Sequence, residues 1–131
     1  MKLADSGHRV EFDSGCVRET ECVKGRCDLL PMSALIKLSK QFEEANKKYP
    51  ERNWEKGMPM HCLIDSALRH LFKYMDGQND EDHLLSACWN VVCAVWMEEK
   101  HPDMQDIPAR LELKKSTFLS REDMDSGEKP S

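Results

Sequence analysis

Acidic side chains cluster in one part of this chain, in a pattern that suits the binding of a divalent cation. Four of them fall within seven positions, at Asp76, Asp80, Glu81 and Asp82. Carboxylate oxygens are ligands that Mg²⁺ and Mn²⁺ prefer. Earlier in the chain lie two more carboxylates and a basic loop with Asn and Trp, made of Glu43, Glu44, Lys47, Lys48, Arg52, Asn53, Trp54 and Lys56. Carboxylates that hold a cation, next to bases that meet phosphate oxygens, indicate a site for phosphoanhydride chemistry.

Each of these groups also has an interpretation that needs no ligand. An acidic run at a helix start complements the helix dipole, and Lys47 and Lys48 can form the solvated end of an amphipathic helix. Asp65 lies one turn before Arg69, which predicts either a structural ion pair or part of a site. Packing, capping or turn formation would equally account for His70, His83, Asn53 and Trp54.

Three cysteines near the N-terminus form a second candidate ligand group. Cys16, Cys22 and Cys27 are separated by five and four intervening residues, and His8 is the nearby fourth ligand. Structural zinc sites generally use closer pairs. We therefore expect ordinary thiols in a reducing compartment, with a zinc-stabilised regulator as the alternative.

Three stretches with the apolar spacing of amphipathic helices would position these side chains. They cover about residues 32–49, 60–76 and 81–100. The first starts after Pro31, the second ends near Gly77, and the third follows the acidic cluster, which suits the positive end of a helix. Strand-like alternation is scarce. The prediction is an all-α fold whose third helix, apolar nearly all round, is buried or lies at a subunit interface.

Composition divides the chain further and excludes some functions. It has 131 residues and a formal net charge of −5, which indicates one domain and argues against a nucleic-acid-coating surface. The longest apolar run, Val91–Met97, is far shorter than the roughly 20 residues that cross a membrane. No apolar signal stretch opens the sequence, so we expect a cytoplasmic protein. We predict an N-terminal segment over 1–27, a helical catalytic core over 28–100, and a linker and flexible C-terminal tail over 101–131.

An ordered set of motifs covers about residues 24–98. The motifs are Arg26-Cys-Asp28-Leu-Leu-Pro31, Lys47-Lys-Tyr49, Arg52-Asn53-Trp54-Glu-Lys-Gly57, Leu68-Arg69-His70-Leu and His83-Leu-Leu-Ser-Ala-Cys-Trp89-Asn90. This set resembles the phage dATP/dGTP diphosphohydrolase group of the MazG-like all-α nucleoside triphosphate pyrophosphatases, and within it the MazZ type.

The resemblance implies a metal-dependent enzyme. Its reaction would convert purine (deoxy)nucleoside triphosphates, dGTP or GTP and also dATP, to the monophosphate and pyrophosphate with Mg²⁺ or Mn²⁺. It also implies a MazG-like helical bundle that forms a homodimer or homotetramer. Members of the MazZ type supply dGMP for 2-aminoadenine synthesis in phage genomes.

A triphosphate brings about four negative charges, which metal ions and basic side chains would neutralise. The predicted metal ligands are Glu43, Glu44, Asp80 and Asp82. The predicted phosphate-binding residues are Lys47, Lys48 and Arg69. The predicted lining of the nucleotide pocket includes Asn53 and Trp54. The predicted catalytic residues, which orient ligands or water, are His70, His83 and Asn90. The alternative function is a non-catalytic helical module for oligomerisation or interaction, in which the acids only solubilise the chain.

Overall fold

A computed structural model describes residue 7, residues 9–19 and residues 24–113 of the chain. The chain divides into two compact units, Met1–Met32 and Ser33–Ser131. Helices account for most of the described residues, which confirms the predicted all-α class. No helix in the described part is long and apolar enough to cross a membrane.

The first unit contains a short antiparallel hairpin, which the sequence did not predict. Strand β1 (Arg9–Glu11) pairs with β2 (Val17–Glu19). Gly15 closes the turn with a φ of 89°, a conformation that glycine adopts without steric cost. Two strands of three residues are too short to show an alternating pattern, so turn chemistry alone marks this hairpin. Farther on, a short 3₁₀ helix covers Cys27–Leu29.

The predicted zinc ligands belong to this part of the chain. Cys16 and Cys27 are exposed free thiols, whereas Cys22 and His8 lie outside the described residues. Among the residues that the structure describes, neither thiol belongs to a group of three ligand atoms that could hold a metal. The zinc-stabilised alternative therefore stays a prediction.

Three long helices follow: α1 (Met32–Lys48), α2 (Met60–Met75) and α3 (His83–Lys100). Gly77, with a φ of 79°, lies just after α2, where the amide of Gln78 donates to the carbonyl of Lys73 over 3.0 Å. This is a Schellman-type end. Asp82 caps α3, because its Oδ1 accepts from the amide of Leu85 over 3.0 Å, so the predicted boundaries are confirmed to within two residues.

The core lies mainly between α2 and α3. Leu63, Cys93 and Met97 are fully buried, and burial raises the pKa of the Cys93 thiol to about 12, so this thiol stays neutral at physiological pH. Aromatic and sulfur-containing side chains surround this cluster, namely Phe42, Trp54, Met58, Trp89, Trp96 and Met104. One face of α3 is therefore buried, whereas its opposite face remains exposed, including Val91 and Val95.

The residues after α3 pack against the loop that precedes α2. A short 3₁₀ helix covers Asn53–Lys56 in that loop, and the ring of His101 donates through Nε2 to the carbonyl of Glu55 over 2.8 Å. Gly57 has a φ of 111°, and a Cβ built there would lie 3.0 Å from Cε of Met104. This close approach favours glycine, and together these contacts fix the loop that contains Asn53 and Trp54. The sequence, which indicated linker after His101, did not anticipate them.

Candidate functional site

A cavity of about 660 Å³ opens between α1, the end of α2 and the start of α3. Its volume falls in the range of roughly 300–1,000 Å³ that is usual for small-molecule sites. The lining combines acidic, basic, imidazole and aromatic groups, from Gln41, Glu44, Ala45, Lys48, Tyr49, His70, Glu81, Asp82, Ser86 and Trp89. The amide of Gln41 donates to the hydroxyl of Ser86 over 3.0 Å, which ties α1 to α3 at this wall.

Two histidines and a glutamate meet at the α2 and α3 side of the cavity. Nδ1 of His70 lies 3.0 Å from Nδ1 of His83. Oε1 of Glu81 lies 3.2 Å from His70 Nδ1 and 3.4 Å from His83 Nδ1. These three atoms form a compact triangle, which we call the ligand triangle. It is the group of three candidate metal ligands found in the described part of the chain.

Asp80 fixes the ring of His83 from the far side. A carboxylate only accepts, so Nε2 of His83 donates to Oδ1 of Asp80 over 2.7 Å. This hydrogen bond holds the pKa of Asp80 below its ordinary value. In the tautomer that has its proton on Nε2, the Nδ1 atom of His83 carries a lone pair. The side chain of His83 is only 1% exposed, so its orientation is set by packing as well as by Asp80.

A second cavity, of about 430 Å³, shares part of this wall. Ala45, Tyr49 and Trp89 line both cavities, which places the two side by side. The second cavity is mainly apolar with two amides, and its lining comprises Ala45, Asn46, Tyr49, Pro50, Asn53, Trp54, Met58 and Trp89. We call it the aromatic cavity.

Ring contacts hold the indoles of the aromatic cavity in place. The ring of Trp54 packs against Trp96 with centroids 4.8 Å apart and against Phe42 at 5.7 Å. Phe42 also contacts Trp89, at 5.5 Å. Within the part that the structure describes, the buried indole nitrogen of Trp89 has no hydrogen-bond partner. An unpaired buried donor costs about 1–3 kcal/mol. This wall of the two cavities is therefore less stable than it would be if the indole nitrogen had a hydrogen-bond partner.

A family model described as dATP/dGTP diphosphohydrolase, N-terminal, matches residues 16–107. That range covers more than two thirds of the chain and includes every residue that lines the two cavities. The chain belongs to this family. Neither the curated proteins nor the solved structures contain a match. The family name indicates hydrolysis of dATP and dGTP.

Several residues that the sequence assigned to a diphosphohydrolase site lie together at the first cavity. Glu44, Lys48, His70 and Asp82 line it, and His83 belongs to the ligand triangle. Asp82 also caps α3 through Oδ1, and Asp80 contacts the remote nitrogen of His83. Asn53 and Trp54 line the aromatic cavity. Their assigned roles in a diphosphohydrolase stay predictions.

The other assigned residues neither line the first cavity nor belong to the ligand triangle. Lys47 forms an exposed ion pair with Glu44 at 2.7 Å, which raises the pKa of this lysine. Arg69 pairs with Asp65 at 2.5 Å, which is one of the two arrangements that their spacing predicted. Glu43 lines a third cavity, of about 210 Å³, which shares Asn46 and Trp54 with the aromatic cavity. Asn90 is buried and donates to the carbonyl of Ser86 over 2.8 Å, within α3.

Sequence reasoning missed three kinds of residue. Glu81 stood in the acidic run, but nothing in the sequence distinguished it from its two acidic neighbours. Asn46 lies in the last turn of α1 and Tyr49 directly follows that helix, and both line the aromatic cavity. Trp89 and Tyr49 were quoted only as parts of motifs, although both line the two cavities of this diphosphohydrolase family member.

Proposed function

We propose that this chain is a metal-dependent diphosphohydrolase that converts dGTP and dATP to the monophosphate and pyrophosphate. The observation that carries the proposal is the pair of adjoining cavities, one with charged and imidazole groups and one with aromatic rings. A purine nucleoside triphosphate has the same division into a charged and an aromatic end. The family name supports the substrate class.

The charge of the first cavity supports a metal requirement. Its lining contains one lysine, Lys48, and three carboxylates, Glu44, Glu81 and Asp82. A triphosphate with about four negative charges would be repelled by such a wall unless cations compensated it. A bound divalent cation supplies Lewis acidity at the phosphate oxygens. Lys48 adds a positive charge from α1 and thereby orients the phosphate chain towards the ligand triangle.

The aromatic cavity has the chemistry that recognises a purine. Tyr49, Trp54 and Trp89 offer ring faces for stacking, which is favourable for any base. The amides of Asn46 and Asn53 can each donate and accept, so they can pair with the mixed donors and acceptors of a purine edge. In this arrangement Tyr49 and Trp89 contact the nucleoside where the two cavities meet.

Product analysis with a panel of nucleotides tests this function. Purified full-length protein is incubated with each of the eight common ribo- and deoxynucleoside triphosphates, with Mg²⁺ and with Mn²⁺, and products are separated by ion-exchange chromatography. We expect dGMP from dGTP and dAMP from dATP, each with one equivalent of pyrophosphate. Release of orthophosphate, or no turnover of any of the eight with either metal, would overturn the proposal.

Replacing Tyr49 by alanine is expected to raise KM for the nucleotide more than it lowers kcat. Loss of one stacking face costs about 1–2 kcal/mol, which raises KM about 5- to 30-fold, with kcat changed by about twofold or less because the ring contacts no reacting atom. Steady-state kinetics with dGTP measure both constants. Tyr74→Ala, an exposed tyrosine on α2, serves as the matched control. An unchanged KM in the Tyr49 variant would contradict the assignment of the aromatic cavity to the base.

Assembly and biological role belong to the same proposal. The faces of α2 and α3 that expose Leu68, Phe72, Val91 and Val95 have the apolar character of an oligomer interface, and we propose a homodimer or homotetramer. For the product we propose the MazZ-type role, in which a phage-encoded enzyme supplies dGMP for 2-aminoadenine DNA. The cytoplasm of the host would be the corresponding location.

A further inference from the structure

The ligand triangle has the dimensions of one face of a metal coordination polyhedron. Ligands at about 2.1 Å from a metal lie about 3.0 Å apart in octahedral geometry and about 3.4 Å apart in tetrahedral geometry. The edges of the triangle measure 3.0, 3.2 and 3.4 Å. Three unprotonated acceptors at such distances repel one another, so either a proton or a cation must lie among His70, Glu81 and His83.

The donor set favours one class of cation. Two imidazole nitrogens and one carboxylate oxygen suit transition-metal ions such as Mn²⁺, Fe²⁺, Co²⁺ and Zn²⁺. Mg²⁺ instead prefers a shell of oxygens only. The four carboxylates assigned from the sequence would form an oxygen-only site, whereas the ligand triangle contains two histidines and one glutamate.

The triangle is held in position before any ligand arrives. His83 is at the start of α3, where Asp80 accepts from its Nε2 atom at 2.7 Å, a carboxylate–histidine arrangement that is common behind metal-binding imidazoles. The neighbouring Asp82 caps the same helix end. The side chain of His70, on α2, is 19% exposed, so its packing also limits its freedom.

The triangle has one open side. The side chain of Glu81 is 51% exposed, and both His70 and Glu81 line the 660 Å³ cavity. A cation held by three protein atoms on one face keeps its other positions for water or for phosphate oxygens. Lys48 lines the same cavity from α1.

We infer that His70, Glu81 and His83 bind a single divalent transition-metal ion through Nδ1, Oε1 and Nδ1, and that they do so without nucleotide. This inference deepens the proposed function, on which its catalytic meaning rests. Asp80 is a positioning residue that orients His83. The competing arrangement is a proton shared between the two imidazoles, with no metal affinity.

Direct metal binding to the full-length protein tests the inference. Co²⁺ is titrated into metal-free protein without nucleotide, and its visible absorption and binding heat are recorded. We expect one Co²⁺ per chain with nitrogen-ligand absorption bands, and an affinity at least about tenfold lower in His70→Ala and in Glu81→Gln. Asp80→Asn should lower it about 10- to 100-fold, as loss of a carboxylate behind a metal-bound histidine does. Thermal unfolding curves identify variants that fail to fold.

The matched control is His61→Ala, an exposed histidine that pairs with Asp106, and its Co²⁺ affinity should equal that of the wild type. Wild-type protein without Co²⁺ affinity, or equal affinity in Glu81→Gln and wild type, would overturn the inference. Turnover of dGTP is measured separately on the same samples. If the protein hydrolyses dGTP but binds no Co²⁺ in the absence of nucleotide, only the inference is contradicted. If it binds Co²⁺ but hydrolyses no nucleotide, only the proposed function is contradicted.

Discussion

Glu81→Gln is expected to lower kcat/KM for dGTP by at least about 100-fold while the fold stays intact. The substitution keeps the size of the side chain but removes its negative charge. A metal held at the phosphates supplies several kcal/mol of charge stabilisation in the transition state, and a loss of about 2.7 kcal/mol corresponds to 100-fold in rate. Because Glu81 is half exposed and lies in a bend before α3, the change should leave the thermal unfolding midpoint within about 2 °C.

The control for this experiment is another exposed carboxylate, outside the site. Glu99, near the end of α3, contacts only Lys100, at 3.5 Å, among the ion pairs recorded for the described residues. Glu99→Gln should therefore retain wild-type kinetics. If Glu81→Gln keeps more than about a third of the wild-type kcat/KM, the ligand triangle is not the catalytic centre, and the carboxylates on α1, Glu43 and Glu44, become the next candidates.

The helices could be predicted because local physics determines them. Apolar residues recur at helical spacing, Pro31 precedes α1, Gly77 follows α2, and Asp82 caps α3, so periodicity and caps agree at each end. The hairpin and the contacts after α3 could not be predicted in this way. The hairpin depends on a turn glycine. The segment after α3 is held by contacts between residues about 45 positions apart, such as His101 with Glu55. Neither feature leaves a periodic pattern in the sequence.

The candidate site was predictable in composition but not in geometry. The sequence identified acids and histidines in the right region, but in a run of three consecutive acids each side chain points in a different direction. Only the packing of α2 against α3 brings His70 within 3.0 Å of His83 and directs Glu81, rather than Asp80, to the same point. Asp80 instead bonds to the opposite nitrogen of His83. The functional assignment of neighbouring acids thus depends on tertiary structure.

That packing depends on a small core, so a single core substitution should have a large effect. Leu63 on α2 is completely buried and belongs to the cluster with Met60, Cys93, Ala94 and Met97. Leu63→Ala removes three carbon atoms and leaves a cavity between α2 and α3. We expect the free energy of unfolding to fall by about 2–5 kcal/mol, a large part of the roughly 5–15 kcal/mol that stabilises a typical domain.

Urea denaturation followed by circular dichroism measures this loss, and Leu35→Ala is the matched control. Leu35 lies on α1 and is 38% exposed, so its truncation removes less buried surface and should cost about 1 kcal/mol or less. Leu63 lines neither cavity of the site, so the folded fraction of the Leu63 variant should hydrolyse dGTP with a nearly unchanged KM. Equal losses of stability in the two variants would mean that α2 does not form the core through Leu63. In that case the position of His70 opposite His83 would need another explanation.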